Sequence, residues 1–376
     1  MLHFETARKY ATIILSYIIK VHKKKGRYTM LTAKENMRET IRGGNPDRLV
    51  NQYEGIQLLF HPFLMFASPL QQKGDPDRVN AWGVTNSFPS HVPGAFPVHT
   101  PDKIVLKDIE HWRDYIHAPS LEFTDEQWAI CKSMYDAVDG NKAYKACFVA
   151  PGLFEQTHHL MSIQEALMAY YTNPDEMHEL IDYLTEWELK LAEGICEHLH
   201  PDAIFHHDDW GSEVNSFLRP EVFADFFVEP YKKIYGYYHD HGCELVIHHS
   251  DSYAANIVPY MIEMGIDVWQ GCMKSNNIPE LIEKYGGKIT FMGEIDNKFV
   301  DFDGWTDADC EKVALEAIER CSGKYFIPCI VQGGPGSVYP GTYKSLAEAI
   351  DNYNSKKFGF TKQQLEEARC PHQIMF

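Results

Sequence analysis

Ala203-Ile204-Phe205-His206-His207-Asp208-Asp209-Trp210-Gly211-Ser212-Glu213 is an apolar run of strand length that breaks off into imidazoles and carboxylates. Five residues rich in β-branched and aromatic side chains fit a buried strand, and the polar residues follow at its C-terminal end. The next such run repeats the pattern: residues 244–249 lead into His248-His249-Ser250-Asp251-Ser252. Outward from this pair lie further apolar runs at residues 146–150, 268–272, 289–293 and 325–331. Between them stand helix starts. Ser162 and Glu165 have capping-box spacing, Asn173-Pro174 and Pro220 open two long amphipathic stretches, Pro279 sits near the start of residues 278–285, and Thr306 precedes Asp309. Strand–helix alternation of this kind demands a mostly parallel sheet. The fold class expected is therefore α/β, a (β/α)8 TIM barrel with long loops over the C-terminal mouth. Its first two strands are placed at residues 49–53 and 81–84, and the Pro-, His- and Asp-rich stretch 60–120 supplies the loops. A doubly wound sheet would show a Gly-rich phosphate turn after its first strand, and none is present; Gly333-Gly334-Pro335-Gly336 lacks a Lys-Ser/Thr and comes too late.

The 376 residues carry a formal net charge of −18, which argues against nucleic acid and anionic membrane surfaces as partners. Nine cysteines, an odd number without C-x-x-C spacing, fit a reducing compartment, and the expected location is cytoplasmic. Residues 1–29 combine a short apolar run with a following basic cluster. That run is too short to span a bilayer, and the order is the reverse of a signal peptide. They are read as a leader, with a single barrel domain over 30–376 whose first helix opens at the capping box Thr32–Glu35.

Barrel chemistry gathers at the C-terminal ends of strands, where the polar residues of this chain also gather. Imidazole, carboxylate and thiolate there suit a Zn2+ ion with an open position, or a general acid and base. His248 and His249 are neighbours on a strand, so their side chains take opposite faces and only one of them enters the mouth; Asp208 and Asp209 pose the same choice. His158-His159, beside Ser162, reads as loop packing.

The ordered set of motifs resembles the uroporphyrinogen-decarboxylase-like superfamily. Phe205–Ser212 resembles its GDDxGxQ segment, and Pro220–Phe223 with Glu229–Ile234 its following helix. His241–Asp251 resembles HGxxVxxHxCG, while Gly265–Val268 and Phe291–Asp296 resemble GxDxxNP and FxGGID. Lys34–Gly43 is similar to its first helix. The likeness spans residues 30–355. Its decarboxylases carry an Arg-rich RQAGR loop for substrate carboxylates, whereas this chain reads Asn51-Gln52-Tyr53-Glu54-Gly55. The resemblance therefore points to the branch that moves methyl groups to a corrinoid protein. Coenzyme M enzymes of that branch hold zinc with His-x-Cys and a distant Cys; here His248 matches the His, Ser250 replaces the Cys, and Cys329, Gly334 or Gly336 falls at the distant position.

What this implies is a zinc-assisted methyltransferase acting on a small, methoxylated aromatic donor, with a cobalamin-type corrinoid carried by a partner protein and a homodimeric assembly. Metal ligands are expected among Glu213, His248, His249 and Cys329, with Glu229, Cys272 and Glu294 in reserve. Asp208, Asp209 and Glu294 are the expected catalytic groups, and Trp210, His207 and Gln332 the substrate contacts. The alternatives are a decarboxylase of the uroporphyrinogen type and a barrel that binds without catalysis.

Overall fold

The computed structural model describes residues 30–371 except 93, 322 and 335–336; the expected leader, residues 1–29, lies outside the described residues. Strand β1 is Ile56–Leu59. A small antiparallel sheet follows, β2 (Arg78–Val79), β3 (Thr85–Ser87) and β4 (Phe96–Pro97). The remaining strands are β5 (Tyr144–Val149), β6 (Ala203–His207), β7 (Leu245–His249), β8 (Val268–Cys272), β9 (Thr290–Ile295) and β10 (Phe326–Ile330). Among the described residues, seven of them form one parallel sheet in the order β1-β5-β6-β7-β8-β9-β10. Helices alternate with these strands, so the α/β class and the parallel sheet follow the sequence reading closely.

The first two strands differ from expectation. Residues 49–53 are not a strand: Gln52 has left-handed backbone (φ 51°), its N–H donates to the Pro328 carbonyl at 3.2 Å, and its side-chain Oε1 accepts from the Ile330 N–H at 3.3 Å. The segment leading into β1 thus reaches β10, so the sheet curls until its two edge strands are bridged by one glutamine. Residues 81–84 form the turn into β3, with Trp82 and Val84 buried, rather than a strand of the main sheet. The real β1, Ile-Gln-Leu-Leu, is too short and too lightly alternating to announce itself. Residues 60–120, read as loops, hold the small sheet and three short helical segments, Phe63–Ala67, Ile109–His111 and Trp112–Tyr115.

Helix starts behave as their chemistry dictates. Thr32 and Glu35 cap each other's backbone, as do Thr306 and Asp309, each box contributing about 1 kcal/mol. Pro174 and Pro220 stand in the first turn of helices Pro174–Leu199 and Pro220–Asp240, where a missing N–H costs nothing. These two helices cover the outer face of β6 and β7 with Glu188, Tyr231 and Tyr235, all buried. No helix among the described residues is long and apolar enough to cross a membrane.

Candidate active site

Alternation along β6 and β7 sends adjacent histidines to opposite faces. Register pairs His206 with His248 and His207 with His249. The outer pair, His206 and His248, is fully buried against the helices. His206 Nε2 lies 2.7 Å from Glu188 Oε1, and the Tyr235 hydroxyl sits between the two rings, 3.2 Å from His206 Nδ1 and 2.9 Å from His248 Nδ1. His248 Nε2 donates to the Asp208 carbonyl at 3.1 Å, and Trp210 stacks on the ring at 3.9 Å. With both nitrogens engaged, His248 holds the sheet to its helices.

The inner pair, His207 and His249, stacks at 4.5 Å and lies beside an aromatic wall: Phe205 is 6.0 Å from His249, and Phe148 is 6.4 Å from His207. The Gln270 amide N–H2 donates to the carbonyls of Ile330 and Val331, both at 3.2 Å, which fixes the orientation of the amide. Its Oε1 therefore faces His249 Nδ1, and that nitrogen must be the donor. A β-bulge aims Gln270 inward. It turns on Gly271, whose φ is +97° and where any Cβ would lie 2.7 Å from the Ser250 carbonyl. His249 Nε2 is left with a lone pair, 4.0 Å from Asp209 Oδ1 and 3.9 Å from Asp251 Oδ2. Burial, with His207 nearby and against the pull of Asp209, lowers the His249 pKa to about 4, so the ring is neutral. A bare lone pair facing two carboxylates is the arrangement a cation completes.

His207 Nδ1 lies 2.8 Å from Glu155 Oε2. Burial works against charge on His207, but Glu155, Asp209 and Asp251 together raise its pKa. Burial raises that of Glu155 in turn, with His207 opposing. Burial and Asp209 also push the Asp251 carboxyl well above the usual carboxylate range. The ligand atoms of His207, Asp209 and His249 lie within 4.8 Å of one another, as do those of Glu155, His158 and His159.

Of the expected metal set, only His249 belongs to either group. His248 is in the outer layer, for the alternation reason given. Glu213 is exposed in the loop after β6, in the turn that Ser212 and Asn215 close. Cys329 is buried, with Tyr53 and Gln270 beside its thiol, and burial raises its pKa, the reverse of what a thiolate ligand needs. Cys272 is likewise buried, its thiol donating to the Trp269 carbonyl. The reserve Glu229 is engaged by Lys232 at 2.7 Å.

Of the expected catalytic groups, Asp209 is in the cluster. Asp208 faces outward and accepts from the N–H groups of Phe154 and Glu155, from Trp210 Nε1 and from the Tyr231 hydroxyl. It anchors the start of helix Leu153–Met161, which comes close enough only because residue 152 is glycine; a Cβ there would lie 2.5 Å from that of Asp208. Glu294 is buried, 3.3 Å from Arg320 Nε on helix Asp307–Cys321. Among the expected substrate contacts, His207 is in the cluster, Gln332 is exposed and reaches Asp251, and Trp210 is buried behind the sheet. Sequence reasoning missed Glu155 and took His158-His159 for loop packing, although Glu155-x-x-His158-His159 directly after β5 carries the i, i+3, i+4 spacing of one helix face.

The description of the uroporphyrinogen decarboxylase (URO-D) family fits residues 81–353, well over half of the chain. The chain belongs to that family. No curated protein matches it. Among solved structures, a methyltransferase from Methanosarcina mazei superposes with a TM-score of 0.60 at 16% identity, covering 86% of this chain and 99% of that one. That likeness shows a shared fold. An endo-beta-1,4-mannanase double mutant from Cellulomonas fimi covers 90% of this chain and 78% of its own, at 13% identity and a TM-score of 0.39, too distant to inform the site. The URO-D membership agrees with the motif order of the sequence, and the family's fold is shared with methyltransferases.

Proposed function

We propose that this chain is a methyltransferase that moves a methyl group from a small methoxylated aromatic to a corrinoid carried by a partner protein, on a closed barrel of the TIM type. The observation that carries the reading is the inner cluster: His207, Asp209 and His249 converge at the strand ends, with their outer nitrogens fixed by Glu155 and Gln270. Imidazoles so held through their second nitrogen are the usual form of zinc ligands, and carboxylate with imidazole makes a harder site than the thiolates of coenzyme M enzymes. Zinc held there would supply a Lewis acid to the ether oxygen of the donor, and the corrinoid would supply the methyl acceptor. The chain's own part is to bind and to orient. Phe148 and Phe205 offer ring faces beside His207 and His249 for an aromatic donor, and the two imidazoles and Asp209 fix the position of its ether oxygen.

A substrate with many carboxylates fits poorly. The ion-pair partners of Glu155, Asp209 and Asp251 among the described residues are histidines, where a decarboxylase of this family needs arginine to hold substrate carboxylates. The test is to mix the zinc-loaded protein with cob(I)alamin and a panel of methoxylated aromatics and to follow methylcobalamin by its absorbance. Methylation by the wild type that disappears in His249→Ala supports the reading. Release of CO2 from a porphyrinogen carboxylate, with no methylation from any donor, would replace it by the decarboxylase.

A further inference from the structure

We infer that Glu155, His158 and His159 hold a divalent transition-metal ion of their own, making the mouth a two-ion site. The inference rests on the methyltransferase reading only for the identity of the neighbouring ion. Glu155, His158 and His159 stand at i, i+3 and i+4 on helix Leu153–Met161, so their side chains project from one face, and their ligand atoms lie within 4.8 Å of one another. A carboxylate and an imidazole one helical turn apart form the unit that helical di-metal proteins use. Two imidazoles with one carboxylate favour zinc, cobalt or nickel over calcium or magnesium.

The supports are rigid. Asp208 holds the start of the helix through the N–H groups of Phe154 and Glu155, and the His159 carbonyl lies 3.2 Å from His99 Nε2. The two trios are joined by one contact. Glu155, a member of the helix trio, also engages His207 Nδ1 through its Oε2. The ion-pair partners of Glu155, Asp209 and Asp251 among the described residues are His207 and His249, so the imidazoles of His158 and His159 are not drawn into those pairs.

The test is Co2+ titration of the metal-free full chain, read by calorimetry and by the visible bands of bound cobalt, with circular dichroism as the check on folding. The wild type should bind two ions. His158→Gln/His159→Gln should bind one, and so should His207→Gln/His249→Gln. Glu155→Gln, which keeps shape and removes only charge, should weaken the second ion at least about tenfold. One ion in the wild type, kept by His158→Gln/His159→Gln, overturns the inference, as does one ion lost from both double variants, which would be a single shared ion. One ion kept by His207→Gln/His249→Gln and lost from His158→Gln/His159→Gln upholds the helix site and instead removes the metal from the proposed methyltransferase centre. No bound cobalt overturns both.

Discussion

His206 and His248 differ from His207 and His249 by one residue each, sit on the same two strands, and do unrelated work. The outer pair is sealed against helices Pro174–Leu199 and Pro220–Asp240, with its nitrogens taken by Glu188, Tyr235 and the Asp208 carbonyl. The inner pair faces the strand-end mouth, with one nitrogen of each ring steered by Glu155 or Gln270 and the second nitrogen of His249 near Asp209 and Asp251. Residue type is the same on both faces; what differs is whether the neighbours use up the lone pair. The same split separates Asp208, which caps a helix, from Asp209, which joins the cluster.

The largest effect that would break this comparison is on activity. His207→Ala/His249→Ala should lose metal and reduce methyl transfer by about three orders of magnitude while changing the unfolding midpoint little; equal losses from the outer pair would erase the distinction. Next comes stability. His206→Ala leaves Glu188 buried without its partner and should cost about 3–5 kcal/mol in urea unfolding, whereas His207→Ala, partly exposed, should cost much less. A third case sharpens the role of burial itself. His61, 1% exposed and stacked on Phe63, has its pKa lowered to about 3 by burial. A folded-state value below the unfolded 6.5 means that its stabilising contribution is present above pH 6.5 and is lost as the pH falls toward 3. Between pH 7 and pH 4 this amounts to about 3 kcal/mol, and His61→Gln should flatten the acid limb of the unfolding curve by that much. Smaller still, Gln270→Ala frees the His249 ring and should weaken metal binding by about 10–100-fold in a competition assay, without unfolding the protein. Smallest, Glu213→Ala should change metal binding and stability by no more than about 0.5 kcal/mol, because its carboxylate is in solvent.

By itself the sequence determined the α/β class, the parallel sheet from β5 to β10 and the helix starts, because apolar period, caps and prolines are local signals that survive without tertiary context. It also pointed to the ends of β6 and β7, where His207, Asp209 and His249 come together as a candidate site, and the order of its motifs marked the family. Tertiary structure alone decided three things. Strand register chose His249 over His248 and Asp209 over Asp208, since a shift of one residue exchanges every side chain between faces. Long-range contacts made Gln52 a bridge to β10 where a strand was expected. Folding brought Glu155, His158 and His159 from the helix after β5 against His207 on β6, an encounter between residues about fifty positions apart that no local pattern encodes.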